Sequence, residues 1–263
     1  MIVLGFDTAT LSTAVGLRLA DGSALEVRDD PASAGSPGHA TRLLGMAGEL
    51  LSRASVSWSE LDRIAVGVGP GRFTGLRVGV ATARGLAQSL SLELVGVSSL
   101  GALAESAASL GANGCDGVLA VIDALRGEAF AGAYSVSENG SAGELSFPGP
   151  LAPEDLGSLA TRAEEHAGAG PRRWLAVGDG AVRYRGQFER RAVAVPAEQS
   201  PLHLLRGGAI CDLGARALAA SAYEQIVPDY RRAPDARLAA QSVDGAVAGG
   251  PAAHSRPRVG SQP

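Results

Sequence analysis

The chain has 263 residues, 46% hydrophobic and 19% charged, with 23 basic against 27 acidic residues and a net charge of −4. That length suffices for two modest cores, while the acidic balance argues against a surface that grips nucleic acid, which needs clustered cations. Every basic residue is arginine, which excludes a phosphate-loop lysine, a Schiff base and a Ser-Lys dyad.

Ile2–Phe6 reads as a buried strand ending in Asp7-Thr8-Ala9-Thr10. Thr13–Leu19 alternates and meets Asp21-Gly22, a hairpin signal, before a third strand near Ala24–Arg28. Asp30–Gly38, rich in Pro, Ser, Ala and Gly, reads as a mobile loop. His39–Arg53 carries Leu43, Leu44, Ala47, Leu50 and Leu51 at helical spacing, an amphipathic helix opened by His39 as a cap or surface residue. Ile64–Val68 is the next strand; it stops at the turn holding Gly67, Gly69, Pro70 and Gly71, and a helix follows to Leu90. A strand at Glu93–Val97 and a helix from Ser98/Ser99 to about Leu110 complete the first half.

The second half repeats this order. VLAVID ends in Asp123, strands are expected at Ala129–Val136 and Leu145–Phe147, and Pro153–His166 is a helix opened by proline and two acids. Trp174–Val177 is a strand running into Gly178-Asp179-Gly180. Leu202–Ala222 reads as one long Ala/Leu helix, Val227–Arg232 as an ordered terminus, and the chain from about Ala239 as a disordered tail.

Ile64–Gly75 and Leu175–Gly186 share six identities in twelve positions, and in both halves the second strand begins six residues after the aspartate. The matched order points to a duplicated lobe. Two such lobes facing a cleft resemble the α/β actin-like/sugar-kinase/Hsp70 (ASKHA) fold. The expected division is 1–105 for the first lobe, completed by the 202–222 helix, 106–200 for a degenerate second lobe, 201–238 for the C-terminal helix and terminus, and 239–263 for the tail. In that architecture the first hairpin and the glycine turns offer backbone N–H groups to phosphates. Asp7, Thr8, Thr10, Gly69, Gly71 and Thr74 are therefore candidate nucleotide or phosphate contacts, although Ala9 stands where a glycine is usual and a structural turn explains the hairpin as well.

Within the Gly75–Leu90 helix, Gly75, Gly79, Ala83 and Ala87 recur every four residues on one face. Interior glycines cost a helix about 1 kcal/mol each relative to alanine, so close approach of another element is expected on that face. It could be this chain's own sheet or a partner helix.

Most enzyme chemistry lacks its residues. Cys115 and Cys211 are far apart and have no Cys-x-x-Cys spacing; His39, His166, His203 and His254 form no His-x-x-x-His pair. Neither a phosphate loop, nor a dinucleotide fingerprint, nor a Gly-x-Ser-x-Gly elbow fits the glycine turn. Asp123 could serve as a base but has no neighbouring partner in sequence. Arg172-Arg173, Arg183, Arg185 and Arg190-Arg191 make a local basic region, read as a solvated face.

The stretch GVGPGRFTGLRVGVATARGLA, together with FDTAT, the His39 helix, LVGVSSLGALA and IDALRGEAFAGAY, resembles the TsaB (YeaZ) family over most of residues 1–135. VGDGA and Pro228-Asp229-Tyr230-Arg231 extend the likeness; Arg72 stands where the family commonly has serine. The resemblance implies a non-catalytic subunit in making threonylcarbamoyladenosine in tRNA. It implies a heterodimer with the related catalytic subunit TsaD, support from TsaE, substrate supply by TsaC, homodimers through the same surface, and contact with tRNA through the complex only.

Relative to TsaD, the two metal-ligand positions after Val95-Gly96-Val97 read Ser99 and Leu103, so no metal ligand and no catalytic residue is expected. No cofactor is expected to bind firmly; ATP or ADP at the heterodimer interface is the one candidate. The expected partner surface comprises Leu43, Leu44, Ala47, Leu50, Leu51, Gly75, Leu76, Gly79, Val80, Ala83 and Ala87. The expected compartment is the cytoplasm, since no basic leader precedes Asp7 and no run of about eighteen uncharged residues could span a membrane. The competing readings are a stand-alone enzyme of the actin-like fold, either metallopeptidase or small-molecule kinase, and a direct tRNA-binding module.

Overall fold

The computed structural model describes residues 1–30, 38–112, 114–168 and 172–231. Most of the loop expected at 30–38 and all of the tail expected from Ala239 lie outside the described residues.

Val3–Asp7 (β1), Thr13–Arg18 (β2) and Ala24–Asp29 (β3) form an antiparallel meander, and His39–Ala54 (α1) leads to Arg63–Gly69 (β4), parallel to β1. Phe73–Leu90 (α2) crosses to Glu93–Ser98 (β5), parallel to β4, giving the order β3-β2-β1-β4-β5. Ser99–Ser109 (α3) leads to Gly117–Leu125 (β6), Glu128–Val136 (β7) and Ala142–Leu151 (β8). Pro153–Leu156 (α4) and Leu159–Ala167 (α5) then precede Trp174–Val177 (β9) in a sheet ordered β8-β7-β6-β9. Beyond β9 lie Asp179–Arg183 (α6) and Arg185–Glu189 (α7), and Ala194 pairs in parallel with Leu175 at the position β5 holds in the first sheet. The second sheet thus retains one residue of a fifth strand. Two copies of one β-β-β-α-β-α-β pattern make this the actin-like two-lobe fold.

Strand alternation sorts the cores. Leu4, Phe6, Val15, Ile64, Val66 and Leu94 pack on α1 and α2. On the opposite face, Val3, Ala65, Val95 and Val97 meet α3, the helix Gly207–Arg216 (α8), and Val118, Ala120 and Ile122 of the second sheet. Leu119, Val121 and Ala131 pack outward on Leu156, Leu159 and Phe188. The helices α3 and α8 therefore fill the space between the sheets.

The structure corrects three element expectations. The helix expected over 202–222 is a single 3-10 turn, Pro201–His203, and then α8 alone. Arg63 ends α8: its guanidinium, in a residue 9% exposed, donates to the carbonyls of Gly214 (2.7 Å) and Ala217 (2.9 Å) and pairs with Glu93. Downstream, the Ala220 N–H donates to Leu94 O, so this segment covers the edge of β5 instead of continuing the helix. The helix expected over 153–166 breaks at Gly157, whose Cβ would lie 2.8 Å from Gln187 O, and at Ser158, whose hydroxyl donates to Asp155 O. The strand expected at 145–147 extends over Ala142–Leu151. Arg63→Met should lower the unfolding free energy by about 2–3 kcal/mol, because the buried Gly214 carbonyl and the part-buried Ala217 carbonyl lose a charged donor. Urea melts at neutral pH measure it.

Candidate functional site

The hairpin Asp7–Thr10 and the glycine turn at the end of β4 form one interlocked unit. Asp7 Oδ1 accepts from the Ala9 N–H at 2.7 Å and Oδ2 accepts from Ser99 Oγ at 2.5 Å; Ser99 Oγ in turn accepts from the Gly69 N–H at 3.1 Å. Thr8 Oγ1 donates to Gly75 O (2.7 Å), and the Arg72 N–H donates to Ala9 O (2.7 Å). The glycines are there to admit this contact. A Cβ on Gly67 would lie 1.7 Å from Asp7 Oδ2, on Gly71 2.4 Å from Ala9 O, on Gly75 1.9 Å from Thr8 O, and on Gly79 2.4 Å from Thr8 Oγ1.

Of the six candidate phosphate contacts, the structure therefore brings Asp7, Thr8, Gly69 and Gly71 together, but bonded or packed against their own chain. Thr10 lines the cleft, and Thr74 is exposed on the first turn of α2. The N–H groups of Ala9 and Gly69 are already donated to Asp7 and Ser99, which removes two amides an anion would need.

His39, read in sequence as a cap or surface residue, is instead 4% exposed and clamps this unit. Its Nδ1 lies 2.8 Å from Thr13 Oγ1, and its Nε2, buried without a partner, sits 3.3 Å from where a Gly75 Cβ would be. Burial lowers its pKa, keeping the ring neutral. Its place in the inward series with Leu43, Ala47 and Leu50 was the available signal.

Burial raises the pKa of Asp7, outweighing the hydrogen bonds from Ser99 and Ala9 that act the other way. A raised folded-state pKa means that Asp7 contributes its full stability below the unfolded value, near 4, and loses it as pH rises through the folded value. The stability of Asp7→Asn relative to the wild type should therefore rise as pH is raised from about 4 towards 7. Paired chemical melts across that range measure it; a pH-independent difference would contradict it.

The expected partner surface is corrected. Leu43, Ala47, Leu50 and Leu51 of α1, and Gly75, Leu76, Gly79, Val80, Ala83 and Ala87 of α2, face inward and are buried in this chain's own core, because the hairpin and the first sheet occupy that side. Of the expected set only Leu44 is exposed, at 51%. The opposite faces carry a second series of small residues, Thr41, Gly45, Gly48 and Ser52 on α1 and Thr74, Ala81 and Gly85 on α2. A Cβ on Gly45, Gly48 or Gly85 would meet nothing within 4 Å, and all three lie inside helices with ordinary negative φ. Among the described residues, neither packing nor backbone geometry requires glycine there. Beside them Phe73 (41% exposed) and Tyr230 (45% exposed) lie 5.0 Å apart, with Arg77 over the Phe73 ring and donating to Tyr230 Oη.

Between the lobes lies a cavity of about 280 Å³, walled by Thr10, Leu11 and Ser12 on one side and Ile122, Gly178 and Asp179 on the other. Its one arginine, Arg28, already donates to Asp30, Ser12 Oγ and Leu205 O; Asp179 and Glu198 also line it, and burial raises the pKa of Asp179. Asp179 Oδ1 accepts the N–H groups of Asp123 and Gly180, and Asp123 pairs with Arg183 at 2.8 Å. The candidate base Asp123 is thus in an ion pair. Among the described residues no three His, Cys, Asp or Glu side chains are grouped as metal ligands.

The sequence model of the family described as "TsaD: tRNA N6-adenosine threonylcarbamoyltransferase" matches residues 31–146. The tRNA threonylcarbamoyladenosine biosynthesis protein TsaB of Escherichia coli K12 is 40% identical over 102 residues, 39% of this chain and 43% of that protein. The protein of the same name from Haemophilus influenzae is 38% identical over 92 residues, 35% of this chain and 38% of that protein. The matched stretches thus span less than half the length of these relatives. Among solved structures, YeaZ from Pseudomonas aeruginosa is 31% identical with a TM-score of 0.69, covering 87% of this chain and 100% of that one.

Proposed function

The chain belongs to the TsaB/YeaZ family, and from that premise we propose that it is a non-catalytic subunit which docks on a TsaD-type catalytic subunit. The assembly transfers a threonylcarbamoyl group to N6 of the adenosine beside the tRNA anticodon. The observation that carries this reading is the outward face of α1 and α2, where Gly45, Gly48 and Gly85 lie inside helices with none of the described residues against them. Each costs the isolated chain about 1 kcal/mol relative to alanine, and close helix–helix approach compensates, since small residues let axes come within about 8–10 Å.

A TsaD-type chain fits as the partner because this chain itself matches the TsaD sequence model across both helices, so the two would offer related helix pairs. TsaE supports this assembly and TsaC supplies its substrate, tRNA meets it through the complex, and ATP or ADP binds at the heterodimer interface if at all. No helix among the described residues is long and apolar enough to cross a membrane, and cytoplasmic action is part of this proposal.

The test is reconstitution. The chain alone should transfer no threonylcarbamoyl group to tRNA, and adding it to its cognate TsaD with the other components should restore transfer. Transfer by TsaD that is indifferent to this chain would overturn the proposal.

A further inference from the structure

We infer that Arg72 and Asp179 are the two halves of a latch across the mouth of the cleft, an ion pair made when the lobes swing together. The inference is independent of the docking reading above. Arg72 is held in place by its backbone, whose N–H donates to Ala9 O, next to the Thr10–Ser12 wall of the cleft. Asp179 stands on the opposite wall, where Oδ1 accepts the N–H groups of Asp123 and Gly180 and Oδ2 has no partner among the described residues. The Arg72 guanidinium likewise makes no hydrogen bond or ion pair with a described residue. The two groups nevertheless feel each other: burial raises the pKa of Asp179, and the Arg72 charge works against that rise. Neighbouring charges are already matched, Arg28 by Asp30 and Asp123 by Arg183. Glu198, the other carboxylate lining the cleft, is the natural control.

The ties between the lobes leave this mouth free to narrow. No hydrogen bond or ion pair joins Thr10, Leu11 or Ser12 to Asp179, Val182 or Glu198, and a void of about 280 Å³ lies between them. The firm connection is on the other side of α3. Leu103 of that helix lines the cleft, and Glu105, roughly 200° further round it, faces away. Glu105, 5% exposed, accepts from the Ala142 N–H of β8 at 2.7 Å and pairs with Arg216 of α8. One buried carboxylate thus fastens α3 to both lobes at the back of the cleft, which is where a hinge belongs. Rotation about it brings Arg72 and Asp179 together where little water remains, and their attraction is stronger there than in open solvent.

Spin labels at Thr74→Cys in the first lobe and Arg190→Cys in the second, on the full chain carrying Cys115→Ser, measure the opening; Cys211 is fully buried and stays unlabelled. The closed-to-open ratio should fall about fivefold between roughly 0.05 M and 1 M salt, the effect of losing one ion pair of ordinary strength. Arg72→Ser and Asp179→Asn should each cause the same fall at low salt, and together no more than either alone. Glu198→Gln should leave the ratio at the wild-type value. Asparagine keeps the oxygen that accepts the Asp123 and Gly180 N–H groups, and thermal melts of each variant check that it folds. A distance distribution unchanged by salt and by both latch variants overturns the inference, as does one that responds to Glu198→Gln and not to Asp179→Asn.

Discussion

Replacing Gly75 with alanine should destabilise the chain by roughly 3–4 kcal/mol or more, even though alanine is the better helix former by about 1 kcal/mol. The new methyl would lie 1.9 Å from the carbonyl oxygen of Thr8. That oxygen is backbone in a hairpin tied down by the bonds from Thr8 Oγ1 to Gly75 O and from the Arg72 N–H to Ala9 O, so it cannot step aside. Gly79→Ala meets a side-chain oxygen, Thr8 Oγ1, at 2.4 Å, and should cost less because the hydroxyl can rotate at the loss of its hydrogen bond. Since domains are stable by only about 5–15 kcal/mol, Gly75→Ala alone could halve the margin. Urea midpoints of both variants measure it, and a Gly75→Ala protein as stable as wild type would refute the hairpin docking.

The second large effect falls on the other side of the same helix. Gly85→Leu should leave the isolated chain as stable as wild type, or more stable by up to about 1 kcal/mol from helix propensity. It should weaken binding to TsaD by at least about a hundredfold, near 3 kcal/mol. The position has nothing within 4 Å among the described residues, so a leucine there is expected to obstruct only what comes from outside. Isothermal titration with TsaD, alongside thermal melts of the variant, separates the two effects.

These opposite outcomes at glycines on one helix show what sequence periodicity resolves. Spacing of four finds Gly75, Gly79, Ala83 and Ala87, and it equally finds Ala81 and Gly85. Direction was legible from neighbours: Leu76 and Val80 fall beside the first series, whereas Thr74, Arg77 and Gln88 fall beside the second. Weighing amphipathicity before small-residue spacing puts the first series in the core, where the structure has it. The strand order of both lobes was legible because each strand is a short apolar run between turn residues, and the shared glycine turn exposed the duplication.

Long-range contacts were not legible. Nothing in the Ala/Leu run 202–222 announces that Arg63, some 150 residues earlier, takes the carbonyls at the end of α8, or that Arg28 binds Leu205 O just before it. Helix propensity alone extends such a run in both directions. Ser99 is a similar case. Its place after Val95-Gly96-Val97 suggests a lost ligand position, but only the fold shows the hydroxyl joining Asp7 to Gly69.

Hydrogen-exchange footprinting of the chain with and without its cognate TsaD tests the central claim most directly. The account predicts new protection along α1 and α2 around Thr41–Ser52 and Thr74–Gln88, with none at the cleft segments Thr10–Ser12 and Gly178–Val182. Protection confined to the cleft, with exchange in α1 and α2 unchanged, would contradict it.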